Sequence, residues 1–78
     1  MYVNFDKTLE KISDLFESDL DTKRIITNLE IYFGEKILPE KTLIIFDEIQ
    51  ENSRALTSLK YFYEDTPEYH IVASGSLL

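Results

Sequence analysis

The sequence predicts an α/β fold in which helices pack on a parallel sheet. Two observations predict it. Short runs of β-formers alternate with longer runs at helical spacing. One run, Leu43-Ile44-Ile45-Phe46, is apolar throughout, as strands buried on both faces of a parallel sheet are. Aliphatic and aromatic residues make up 44% of the 78-residue chain, which places it among globular proteins.

The elements follow in order. Tyr2 to Asp6 alternates and carries β-formers, so a short strand is expected there. Leu9, Ile12, Leu15 and Phe16 fall on one helical face, with Glu10, Lys11, Asp14 and Glu17 turned outward. Ser18 to Asp21 breaks that pattern, and Asp21 suits the N-cap of a second helix, because its carboxylate accepts an orphan backbone N–H. Ile25, Ile26, Leu29, Tyr32 and Phe33 give that helix its inner face, and Gly34 can close it at positive φ. Glu35 to Lys41 is a loop around Pro39. After the apolar strand, Asn52 or Ser53 can cap a third helix, with Ala55, Leu56, Leu59, Phe62 and Tyr63 facing inward. Asp65-Thr66-Pro67 ends it, since proline disfavours helix in the residue before it. Ile71-Val72-Ala73 forms the last strand and runs into Ser74-Gly75-Ser76. Right-handed crossovers between such strands imply a parallel sheet.

Size and charge exclude several classes. The chain holds one compact unit and buries only roughly 60% of its unfolded surface. It has no cysteine, so neither a disulfide nor a thiolate metal site stiffens it. His70 is the single histidine, which argues against zinc. Eight basic and fifteen acidic residues give a net charge of -7. This argues against nucleic-acid binding, which needs cations to displace phosphate counterions, and against docking on an anionic membrane. No apolar run approaches the ~20 residues of a membrane-spanning helix, and the N-terminus lacks the regions of a signal peptide. The expected location is the cytoplasm.

The strongest local signal is Leu43-Ile44-Ile45-Phe46-Asp47-Glu48, which has the form of a Walker B element. A buried strand fixes the backbone and delivers two carboxylates at its C-terminal end, where ligands bind in open parallel sheets. In nucleoside triphosphatases of this form the Asp helps to hold Mg²⁺, and the Glu orients and deprotonates the attacking water. The bland alternative is a strand followed by a solvated turn. One crossover later, Ser74-Gly75-Ser76 offers a small hydroxyl where this class places its sensor of the γ-phosphate; in isolation it is only a turn.

Thr42 to Gln50 (TLIIFDEIQ), Ala55 to Phe62 (ALTSLKYF) and Tyr69 to Leu78 (YHIVASGSLL) together resemble the prokaryotic AAA-superfamily ATPases. More narrowly they resemble a branch of ATP-binding proteins that commonly carry a C-terminal domain of unknown function. Tyr2 to Asp6 (YVNFD) is similar to that family's second strand. The resemblance implies a partial P-loop NTPase-like layer of three parallel strands, in the order 4-3-2 of the parent sheet, with about three helices. It implies that Asp47 coordinates Mg²⁺, that Glu48 is the catalytic base, and that Ser74, or else Ser76, is the sensor-like residue. Asp6 is either part of the same rim or, the plainer reading, a cap for a helix starting near Lys7 or Thr8.

The chain departs from that family in one respect. A phosphate-binding loop needs G-x-x-x-x-G-K-[ST], whose glycines let backbone N–H groups approach the phosphates. Gly34 and Gly75 are the two glycines here, far apart, and neither precedes Lys-Ser or Lys-Thr. The chain therefore looks like the middle of an ATPase core, from after Walker A to just past sensor one. ATP and Mg²⁺ are the cofactors of the parent family, and tight binding of either by this chain alone is not expected. In the family's sheet order, five-one-four-three-two, the strand Ile71 to Ala73 loses its neighbour. It becomes an edge that invites self-association or a missing complement.

Two further readings compete. One is a small acidic α/β protein–protein interaction module. The other is an acidic nucleic-acid mimic, but the carboxylates scatter as on an ordinary solvated surface. A Walker A motif roughly 30 residues upstream of Met1 would favour the ATPase reading over a separate module. His70, Arg54 and the aromatics Tyr32, Phe33, Tyr61, Phe62 and Tyr63 are read as packing or surface residues. Pairing His70 with Ser74 or Ser76 as a hydrolase lacks the strained nucleophile elbow that such chemistry uses.

Overall fold

A computed structural model of the chain describes residues 1–6 and 10–75. They form β1 (Tyr2–Asn4), α1 (Glu10–Asp14), α2 (Thr22–Phe33), β2 (Leu43–Asp47), a 3-10 turn (Ile49–Glu51), α3 (Ser53–Asp65) and β3 (His70–Ala73). The strands are parallel and lie in the order β1-β2-β3, so the expected α/β layer is present with β2 in its middle. β1 is shorter than the expected Tyr2 to Asp6, although the Phe5 N–H still donates to the Asp47 carbonyl at 2.9 Å.

Register assigns the two faces. Val3 lies beside Phe46, and Ile44 and Phe46 lie beside Ile71 and Ala73. With Phe5 these side chains make the covered face. The helical part of the chain adds Ile12, Phe16, Ile25, Ile26, Leu29, Ala55 and Phe62 to the same core. Phe46 is central, meeting Phe5, Phe16 and Phe62 edge-on at ring separations of 5.3, 6.0 and 6.2 Å. Edge-to-face contact is the arrangement that aromatic quadrupoles favour.

The opposite face carries Tyr2, Leu43 and Val72, which are 52%, 50% and 49% exposed. This corrects the expectation that the apolar run of β2 is buried on both faces. Its residues alternate instead, with Ile44 and Phe46 buried and Leu43 exposed. The reason is topological. The chain steps from β1 to β2 to β3 in one direction, and right-handed crossovers that all step the same way lay their helices on the same side.

Caps set the helix limits. The Asp21 carboxylate accepts from the Lys23 and Arg24 N–H groups, and Gly34 closes α2 at φ 69°, with its N–H donating to the Glu30 carbonyl. Asn52 caps α3 by accepting from the Ala55 N–H. Three expected inward residues point elsewhere: Tyr32, Leu56 and Tyr63 are exposed. On α2 the buried stripe runs through Thr22, Ile25, Ile26 and Leu29, and on α3 through Ala55, Ser58 and Phe62. On α3 the 100° step per residue carries positions 56 and 63 off the stripe, whereas Tyr32, seven residues after Ile25, stays at the margin of the α2 stripe, in the last turn of that helix. Where α3 ends, the Thr66 hydroxyl donates to that of Thr22 at 2.9 Å, and both residues are buried. Leu9 lies outside the described residues, as do the side chains of Glu10 and Lys11.

Candidate functional site

The two carboxylates of the Walker B-like run leave the end of β2 differently. Asp47 is the last residue of the strand and lies in register with Asn4 on the uncovered face. Glu48 follows in the left-handed conformation, φ 54° and ψ 43°. That conformation costs a non-glycine residue on the order of 1 kcal/mol, and residues held in it cluster at functional positions. It turns the chain abruptly into the 3-10 turn.

Asp47 is held from three directions. Tyr2 lies beside Ile45, so Asp47 is its diagonal neighbour across the strands, a span that an aromatic side chain can bridge. The Tyr2 phenol donates to Asp47 Oδ2. From the segment after β3, Ser74 Oγ donates to Asp47 Oδ1 at 2.7 Å. The Glu48 N–H donates to the same oxygen at 2.9 Å. The Tyr2 hydrogen bond first, and the Ser74 hydrogen bond second, hold the Asp47 carboxyl below the usual carboxylate range. Conversely, donating to Asp47 raises the Tyr2 phenol above its ordinary value.

Glu48 has a separate partner. Its Oε1 accepts from Gln50 Nε2 at 2.7 Å. The Ser74 N–H donates to the Phe46 carbonyl at 2.9 Å, and the Ile49 N–H donates to the Ser74 carbonyl at 3.1 Å. These bonds lace the segment after β3 to the end of β2, which brings Ser74 to Asp47.

Asp47 and Ser74, proposed from the sequence, therefore meet directly, with Glu48 adjoining. Ser76 lies outside the described residues. So do Lys7 and Thr8, where a helix capped by Asp6 was expected to begin; Asp6 itself follows β1, with its N–H donating to Asn4 Oδ1 at 2.7 Å. Sequence reasoning missed Tyr2 and Gln50. Alternation separates Tyr2 from Val3, but only the register of β1 on β2 brings it to Asp47. Arg54 is more than a plain surface residue, because its Nε donates to the Phe16 carbonyl and ties α3 to the turn after α1. His70 is exposed at the start of β3.

Among the described residues, no group of three or more His, Asp or Glu side chains is placed to hold a metal by itself. Asp47 could contribute to a cation site, since about one of its roughly four acceptor positions remains open. This suits a cation such as Mg²⁺, which takes one or two carboxylates together with substrate phosphates. Among the described residues no helix is long and apolar enough to cross a membrane.

A family model described as an AAA domain matches residues 1–78. No curated protein and no solved structure matches the chain.

Proposed function

The chain belongs to the AAA domain family, and from that membership we propose that it carries the Walker B and sensor-one part of an ATPase core of the prokaryotic kind. One observation carries the reading. The Asp47-Glu48 pair lies at the C-terminal end of the middle strand of a parallel sheet, and Ser74, at the end of the neighbouring strand, donates to Asp47. Ligands of open parallel sheets bind at that end.

Each residue then has a task. Asp47, kept ionised by Tyr2 and Ser74, would hold Mg²⁺. The bound cation would neutralise charge developing on transferring phosphate oxygens. Glu48 orients the attacking water and accepts its proton. Ser74 links the Asp47 carboxylate to the segment after β3, so a change at one is felt at the other. On this reading the chain works in the cytoplasm.

What this chain does not encode is the phosphate cradle, since neither Gly34 nor Gly75 opens a phosphate-binding loop. The 78-residue chain by itself is therefore expected to bind ATP too weakly to saturate and not to hydrolyse it. Isothermal titration with millimolar ATP and Mg²⁺ should give no saturable heat. Clear saturation would overturn this expectation.

A second reading rests on β3. Among the described residues it is an edge strand, and Val72 is half exposed on it. Beside it runs an apolar groove of about 470 Å³ between β3 and α3, lined by Leu59, Phe62, Tyr63 and Ile71. The open hydrogen-bonding edge from Ile71 to Ala73 suits pairing with a second copy or with a complementary strand, as in a small acidic α/β interaction module. Light scattering at high concentration is expected to give a mass above that of one chain. A strictly monomeric mass would count against pairing between copies.

A further inference from the structure

We propose that Gln50 is a positioning residue for Glu48, and that Gly75 is the clearance that lets it act. The proposal rests on reading Glu48 as the water-activating base.

Glu48 follows the strand in a left-handed conformation, so the regular sheet does not set the direction of its side chain. The Gln50 amide fills that role. Its Nε2 donates to Glu48 Oε1 at 2.7 Å, in a part-buried setting. The donor comes from two residues further on, in the 3-10 turn of Ile49–Glu51. An amide is the suitable group here. It gives the carboxylate a directed donor without adding a charge.

The Gln50 amide is in turn seated against the segment after β3. A Cβ built on Gly75 would overlap Gln50 Oε1 and come within 3.0 Å of Cδ. Gly75 is thus the residue type that leaves room for the amide. Ser74 and Gly75 then have divided roles: Ser74 holds Asp47 directly, and Gly75 admits the group that holds Glu48. The group that meets the intruding methyl is the end of a flexible side chain, not backbone. Gly75→Ala should therefore displace the amide and leave the sheet in place.

The test reads the Glu48 side chain in the 78-residue chain itself. Carbon-13 relaxation of the Glu48 γ-methylene should show an ordered side chain in the wild type. In Gln50→Ala and in Gly75→Ala, its order should fall to that of an exposed glutamate such as Glu64. Gln50→Asn, whose amide is one methylene shorter, should not restore it. Amide exchange at Ile44 and Phe46 should be unchanged in every variant, which separates loss of positioning from loss of fold. Undiminished order at Glu48 in both Gln50→Ala and Gly75→Ala would overturn the proposal. Because no nucleotide is present, that result would leave the role of Glu48 as a base to its own test.

Discussion

The two faces of the sheet are made from the same strands and do opposite work. On the covered face Val3, Ile44 and Phe46 are wholly buried under the helical layer. On the other face Tyr2, Leu43 and Val72 remain half in water. Both faces carry apolar residues, so composition does not separate them; register and crossover direction do. The covered face supplies the cohesion of the fold. The uncovered face ends in the Tyr2–Asp47 contact and so carries part of the candidate site. The general lesson is that an apolar strand in a parallel sheet need not be buried on both sides within one chain. A sheet that grows in one direction leaves its second side for something else.

The largest test of this contrast is Phe46→Ala. It removes the ring around which Phe5, Phe16 and Phe62 pack, and should cost about 3–5 kcal/mol. A chain this small sits at the low end of the ~5–15 kcal/mol typical of native proteins, so the variant should keep little stability and melt far below the wild type by circular dichroism. A folded variant with a near wild-type melting curve would mean that the covered face is not the core.

A finer comparison uses neighbouring residues of β2 that differ only in the face they occupy. Ile44→Val deletes one methylene from a fully buried site and should cost about 0.5–1.5 kcal/mol in urea unfolding. Ile45→Val makes the same deletion on the half-covered side and should cost clearly less. Equal costs would mean that the second face is as well packed as the first.

The smallest effect concerns acid. The folded-state value of Asp47 lies below its ordinary one, so its contribution to stability is fully present above about pH 4. That contribution is lost as pH falls through the depressed folded value. Tyr2→Phe keeps the ring and removes the leading cause of the shift, so Asp47 should titrate at higher pH. Following the Asp47 carboxyl carbon by NMR from pH 7 to pH 2 in both proteins reads this directly, and superimposed curves would rule out the Tyr2 contact.

Much of the fold was legible because it depends on short-range patterns. Asp21 and Gly34 at the ends of α2, and Asn52 before α3, are capping signals that need no tertiary context. The apolar run into Asp47-Glu48 located β2 and the carboxylate pair together, and the small residues after β3 located Ser74. What stayed hidden depends on register or on space. Tyr2 reaches Asp47 only because β1 pairs with β2 so that Tyr2 lies beside Ile45. Gln50 meets Glu48 and Gly75 only once the 3-10 turn and the segment after β3 are folded together. Tyr63 adjoins Phe62 in the spacing that predicts the inner face of α3, yet the helical phase leaves it 82% exposed.

The paired hydroxyls of Thr22 and Thr66 tie the history of two distant positions together. They join the first turn of α2 to the residue that ends α3, inside a layer that is mostly apolar. Valine at one position alone strands the remaining hydroxyl, at roughly 1–3 kcal/mol, whereas valine at both leaves nothing polar to satisfy. Descendants of this sequence should therefore keep both threonines or exchange both, and seldom show one without the other.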